Sequence, residues 1–199
     1  LLLEQLFAHG IAVVGWDMVF PERDDIADIG ILRQLASEQQ DEAFLRRLDE
    51  FEPILDRDNR FAEVLASGPA ILGYYFDTNL DTAYETGALP VPAFELHESM
   101  MDSVFLPRAE GFTSNLPVLM KATYGAGFIN NPLIDADGVV RRSPLLHEYK
   151  LAVYESLSLS VAATYFNDIA LPVFVDASRW MGDYPPLEGL ELNGKPIPI

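Results

Sequence analysis

Two hydrophobic rhythms alternate along this chain, and the points where one gives way to the other mark its elements. Leu2, Leu3, Leu6 and Phe7 share one side of a short helix over 1–9, which Gly10 is suited to end. Within GIAVVGWDMVF (10–20), residues 11–17 are short, β-branched and bounded by Gly10 and Pro21, so they predict a buried strand. From Asp25 the period becomes helical, with Ile26, Ile29, Leu32 and Leu35 or Ala36 on one stripe. A second stripe of Phe44, Leu45, Leu48 and Phe51 is expected to stop at Pro53. A third helix is predicted over 59–67, capped by Asp58 or Asn59, with Phe61, Val64 and Leu65 facing inward. Gly68-Pro69 closes it, and AILGYYF (70–76) reads as the next buried strand. Strand, helices, strand is an order that implies a right-handed crossover and parallel pairing, with 25–58 as a helical insertion.

Residues 77–116 show the least periodicity and read as loop-rich. A short helix over 117–123 opens with a proline at a tolerated early position. In GAGFINNPLIDADGVVRRSPLLHEY (125–149), a strand over 126–131, a turn at 135–138 and a strand over 139–149 are expected to pair as an antiparallel hairpin, because Asp-Gly is a strong turn signal. An apolar helix over 154–166 and a strand near 172–175 follow, and Asn193-Gly194 marks a tight turn in LEGLELNGKPIPI. The pattern predicts one domain over 1–199, α/β in class. It has a mixed, partly parallel sheet flanked by helices and a β-hairpin in its second half.

Composition narrows the chemistry. Against 13 lysines and arginines stand 31 aspartates and glutamates, a formal charge of −18. That balance excludes a nucleic-acid surface, which needs a basic stripe, and disfavours docking on anionic lipid. The absence of cysteine excludes disulfides, thiolate nucleophiles, zinc knuckles and iron–sulfur clusters. No segment has the roughly 20 apolar residues of a membrane span. Lacking an initiator Met and a basic leader, the chain reads as a piece excised from a longer protein.

Asp17 is the first candidate for chemistry, because a carboxylate at the end of a buried strand is a familiar catalytic position. A phosphatase-like aspartate nucleophile would need a second carboxylate two residues on, where Val19 stands. A nitrilase-like site would need a cysteine. Asp17 therefore reads as structural, accepting hydrogen bonds from the amides of 20–23 or pairing with an arginine. Glu22, Asp24, Asp25 and Asp28 could hold a hard cation, but acids are also favoured at a helix start. Asp77-x-Asn79-x-Asp81 begins like a calcium loop, yet Thr82 and Ala88 occupy the positions that need Gly and Glu. His9, His97 and His147 lack metal spacing, and GAG at 125–127 lacks the third glycine of a phosphate cradle. Of Arg141 and Arg142, alternation would turn one inward, toward Asp17 or Asp135. No active site, metal or cofactor is assembled from these pieces.

Three segments taken together resemble the CHASE2 family of bacterial extracytoplasmic sensor domains. They are VVGWDMVFPERD (13–24), FAEVLASGPAILGYYF (61–76) and AGFINNPLIDADGVVRRSPLLHEY with ESLSLSVAA (126–163), and the closing LNGKPIPI is similar to the family's last strand. The third is the most specific, with Asp137-Gly138 at its turn and Arg141-Arg142 opening its strand. Two departures are the long insertion over 25–58 and Glu155, which stands where the family commonly has proline. The resemblance implies a periplasmic domain of an inner-membrane receptor, flanked by membrane helices. It also implies a cytoplasmic output module such as a nucleotide cyclase, histidine kinase, serine/threonine kinase or diguanylate cyclase. Its partners would be a small-molecule or envelope signal and a second copy in a homodimer. The α/β rule that ligands bind at strand carboxyl ends nominates Asp17, Phe20, Glu22, Asp24, Asp77 and Asn130 as the ligand site. Two rival readings are a divalent-metal-dependent hydrolase built on the loop 17–25 and a purely structural dimerisation module using helix 1–9.

Overall fold

The computed structural model describes residues 2–24, 27–81, 83–100, 103–131, 137–138, 141–182 and 184–199, without the side chains of 27, 28, 52–55 and 177. Its axis is β2 (Ala70–Asp77), whose first five residues are buried on both faces, as the near-continuous apolar run AILGYYF requires of a central parallel strand. β1 (Val14–Trp16) pairs with it in parallel, from Val14 opposite Ala70 to Trp16 opposite Leu72. On the other edge lies β6 (Gly125–Phe128), also parallel, from Gly125 opposite Ile71 to Phe128 opposite Tyr74. The two faces of this three-strand centre follow from the two-residue period. Gly15, Ile71 and Gly125 look toward α6 (Leu157–Phe166), where a Cβ on Gly15 would lie 2.8 Å from Val161. Val14, Trp16, Leu72, Tyr74 and Ala126 look the other way, into a core shared with Leu3, Leu65 and Leu119.

Those three leucines come from α1 (Leu2–Ala8), α4 (Arg57–Leu65) and α5 (Pro117–Ala122). Between β1 and α4 run α2 (Ala27–Glu38) and α3 (Glu42–Leu55), which pack mainly on one another through Ile29, Ala36 and Leu48. Pro53 does not end α3 but lies in its last turn, and the helix runs on to Leu55. α4 starts two residues earlier than its pattern suggests, because Asp56 is the cap and accepts from the Asn59 amide at 2.9 Å.

β2 outruns its neighbours. Its even-numbered residues direct their backbone groups toward the β6 edge, where Tyr124 and Ile129 donate to the carbonyls of Ala70 and Tyr74. The odd-numbered ones face the β1 edge, but β1 ends level with Leu72. Beyond that point β5 (Gly111–Thr113) takes the edge in the antiparallel sense, with Tyr75 opposite Thr113 and Asp77 opposite Gly111. β3 (Glu85–Thr86) then pairs in parallel with β5. The gap between β1 and β5 is closed by Asn115, which is fully buried. Its Nδ2 donates to the Gly73 carbonyl at 2.8 Å, and its Oδ1 accepts the Phe20 amide at 2.8 Å. On the opposite edge Asn130 does the same for Phe76, accepting from its amide at 2.9 Å and donating to its carbonyl at 2.8 Å.

Two antiparallel sheets complete the fold. One is formed by β4 (Phe94–Glu95), β8 (Ala152–Glu155) and β7 (Leu146–Tyr149), the other by β9 (Leu171–Phe174), β10 (Leu187–Leu192) and β11 (Lys195–Pro198). The class is thus α/β with a mixed, partly parallel sheet and a later hairpin, but the hairpin joins other strands than the Asp-Gly signal indicates. β7 pairs with β8, while residues 125–128 lie parallel to β2. The reason is steric: Gly127 lets β6 approach α6 so closely that a Cβ there would stand 2.5 Å from the Leu157 backbone. Gly138 keeps its left-handed turn conformation at φ 79°, whereas 132–136 and 139–140 lie outside the described residues. Residues 154–155 belong to β8, so α6 begins only after Ser156, whose hydroxyl caps the Leu159 amide.

Asn115→Asp tests the double role of this amide. An aspartate of the same shape can accept from Phe20 but cannot donate to Gly73, and it buries a charge. The expected loss is on the order of 3 kcal/mol in urea unfolding. A loss under about 1 kcal/mol would mean that the Gly73 carbonyl is served by another donor.

Candidate functional site

The residues nominated from strand ends do not meet in one place. Register sets Asp17 level with Gly73, so Asp77 lies four residues farther along β2, roughly 13 Å at the usual strand rise. Asp17 and Glu22 are exposed, and the anchoring expected of Asp17 belongs to Asn115. The site needs a group that donates and accepts, which a carboxylate cannot be. Phe20 is half-buried, its ring edge-on to Trp16 at 6.5 Å and to Phe61 at 5.2 Å. Asp24 docks the loop on the start of α4, through Arg57 at 3.1 Å and through its own amide to the Asp58 carboxylate at 3.2 Å. Asp77 accepts from the Asn79 amide and Asn79 from the Asp81 amide, a succession of side-chain turns rather than a cation loop. Among the described residues no group of three His, Asp or Glu could hold a metal. Asn130 spends its amide on Phe76.

Arg141 grips Asp137 with both terminal nitrogens, at 2.9 and 2.7 Å, instead of turning inward toward Asp17; Asp135 lies outside the described residues. Arg142 is also exposed, and its carbonyl accepts from Asn131 Nδ2.

A sizeable cleft lies elsewhere. It encloses about 1130 Å³ between the segments 103–108 and 142–146, the start of β10 and the end of β11. Leu106, Leu146, Leu187 and Ile199 make its apolar wall, and Arg108 and Arg142 stand on it. Thr78, one residue past β2, is its only approach to the nominated strand ends among the described residues. Arg108 is tethered by Glu148, with Nε 3.7 Å from Oε2. Glu148 is itself buried, and its other oxygen accepts the Leu151 amide at 2.6 Å. This bond braces a two-residue turn in which Lys150 and Leu151 both sit at positive φ, 51° and 69°, a conformation unusual for such side chains. Glu85 holds the same turn from outside, accepting from Tyr149 Oη and Lys150 Nζ at 2.7 Å each; these donors keep its carboxyl below the usual range.

Sequence reasoning passed over His147, whose isolation in the sequence gave no metal spacing. It is fully buried, tilted against Phe76 at 5.0 Å and edge-on to Phe128 at 5.4 Å. Neither ring nitrogen has a partner among the described residues, and burial pushes its pKa down to about 4. The only available signal was its place in LHEY, a run that is buried throughout.

Fold and cleft define an α/β domain that presents a ligand-sized cavity. The chain belongs to the CHASE2 family: the profile of the CHASE2 domain matches residues 1–196. CHASE2 is a family of extracellular sensory domains. A comparison with curated proteins and one with solved structures each gave no match. No helix among the described residues is long and apolar enough to cross a membrane.

His147 makes stability depend on pH. Its folded pKa lies below its unfolded value, so the neutral ring's contribution is intact above about pH 6.5. It is lost as the pH falls toward 4, because the unfolded chain then binds a proton the folded one refuses. Between pH 7 and 5 this loss amounts to about 2 kcal/mol. His147→Leu should remove that part of the slope, as read from urea unfolding at the two pH values. Equal losses in both proteins would show that the ring is not held neutral.

Proposed function

We propose that this chain is the extracytoplasmic input domain of a bacterial transmembrane receptor that regulates a cytoplasmic output module such as a nucleotide cyclase or histidine kinase. Membership in a sensory family supports the role, and the observation that carries it is the cleft of about 1130 Å³, a size suited to a small ligand. Its walls come from two different sheets, one of which ends in β11, the last strand. A ligand that fits one packing of these sheets better than another shifts the balance between them by its difference in affinity. Flanking membrane helices, in a homodimer, would carry that shift to the output module.

The metal-hydrolase alternative finds little support, since Asp24 is engaged by Arg57 and no metal cluster is present among the described residues. For the dimerisation module, the helix named as its patch is largely spent within the chain. Leu3 is buried, and Phe7 packs against Gly68, although Leu2 remains exposed.

The placement is tested in the full-length protein. Protease added outside intact spheroplasts is expected to digest this domain while a cytoplasmic marker survives, followed by immunoblotting. A domain that stays protected until the inner membrane is lysed would overturn the reading.

A further inference from the structure

We propose that a smaller pocket, bounded by the start of β6, the end of β8 and α6, binds a small primary amine, with Glu155 and Ser160 receiving its ammonium group and Tyr124 and Ile169 flanking its apolar body. This pocket shares no lining residue with the cleft described above, so the proposal stands apart from the sensory reading.

Polar groups without partners are the first argument. The pocket encloses about 390 Å³. Ser160, which lines it, is only 8% accessible, and its Oγ makes no hydrogen bond among the described residues. This oxygen faces the backbone of Gly125, where an added Cβ would stand 3.5 Å from it, so the glycine leaves the hydroxyl open to the pocket. Glu155 follows Val153 on one face of β8, the face that packs toward Leu159 and Ala163 of α6. At the strand's end that face becomes the pocket wall. Half-buried there, the Glu155 carboxylate has neither a hydrogen bond nor an ion pair among the described residues, and desolvation alone pushes its pKa up. A buried hydroxyl and a desolvated carboxylate that share one space are unfavourable until a single group donates to both.

Charge and donor number define that group. The described lining carries Glu155 and Asp168 and no basic side chain. α6 ends beside it with no lysine or arginine in its last turn, so the negative end of the helix dipole adds to the two acids. Asp168 supplies charge more than ligation, because its oxygens already accept the amides of Ile169 at 2.9 Å and Asn193 at 2.7 Å. One remaining carboxylate is too little for a calcium ion, which takes about six to eight oxygens, and no group of three acids or histidines suited to a metal occurs among the described residues. An ammonium group needs less, since its three N–H donors are served by a carboxylate, a hydroxyl and water. Tyr124 and Ile169, 62% and 68% exposed at the mouth, are large side chains that the body of such an amine would cover.

The test is calorimetric titration with phenethylamine, beside phenethyl alcohol, hydrocinnamate and phenethyltrimethylammonium as probes with the same body. Physiological ionic strength screens most of the attraction that the net charge of −18 exerts on any cation. Phenethylamine is expected to saturate one site and to bind about tenfold or more tightly than the alcohol and hydrocinnamate. The trimethylated cation carries the same charge without N–H donors and should bind about fivefold or more weakly than the amine. Glu155→Gln should weaken the amine about tenfold and Ser160→Ala about threefold, with folding of both variants checked by thermal unfolding. Glu63→Gln, at an exposed position of α4 across the central sheet, makes the same change of charge and should leave the affinity unaltered. The assignment is overturned if phenethylamine does not saturate, if the alcohol or the trimethylated cation binds as well, if Glu155→Gln weakens binding no more than Glu63→Gln does, or if Ser160→Ala leaves it unchanged. Each of these results leaves the sensory reading to the protease experiment.

Discussion

A buried strand must have hydrogen-bond partners along both edges, and the neighbours of β2 are too short to provide them. β2 has eight residues, β1 three and β6 four. On one edge β5 and the Asn115 side chain make up the difference, and on the other the Asn130 side chain does. An unpaired buried amide or carbonyl costs about 1–3 kcal/mol, so satisfying Gly73 and Phe76 matters on the scale of a domain's whole stability. A primary amide both donates and accepts at the distance of a missing strand. The consequences spread outward. Asn115 fixes Phe20, and with it the path of the loop that Asp24 docks on α4. Asn130 fixes Phe76, whose ring touches His147, Tyr149 and Tyr154 and so joins the central sheet to the one formed by β7 and β8.

Much of this was legible in the sequence, and the divide between what was and what was not is a divide between local and distant causes. The stripes of Ile29 and Ala36 and of Phe61 and Leu65 located their helices because a helix is made by neighbours three and four residues apart. The all-apolar AILGYYF identified a strand buried on both faces, and with β1 before it the parallel pairing followed. The hairpin joins other strands than the sequence indicates, because Asp137-Gly138 reports only a turn. What β6 pairs with is decided by how closely Gly127 lets α6 approach. Asn115 and Asn130 look alike in a sequence, as polar residues after short strands; only the register of β2 shows that they complete its ladder.

The cleft was illegible for a related reason. The α/β rule directs attention to strand carboxyl ends, and the acidic residues there are occupied with neighbouring amides and with Arg57. The cavity instead arises where two antiparallel sheets meet beyond the central one, from segments as far apart in the chain as Thr78 and Ile199. Of its two arginines, Arg142 stands out in the sequence only as part of a family segment and Arg108 not at all. That a buried carboxylate lies beneath Arg108 is visible only in the folded chain.

Glu148 is where the cleft touches the rest of the structure. One of its oxygens faces Arg108 and the other holds the Leu151 amide in a turn whose two residues sit at positive φ. Such backbone conformations persist only while their surroundings enforce them. The position of Arg108 and the conformational energy of the turn therefore meet at one carboxylate. The next step is equally short. Leu146 lines the cleft and His147, beside it in β7, packs on Phe76, the residue that Asn130 ties into the central sheet. A change in β7 therefore has a tightly packed route to β2, because the buried ring of His147 lies against Phe76 and Phe128.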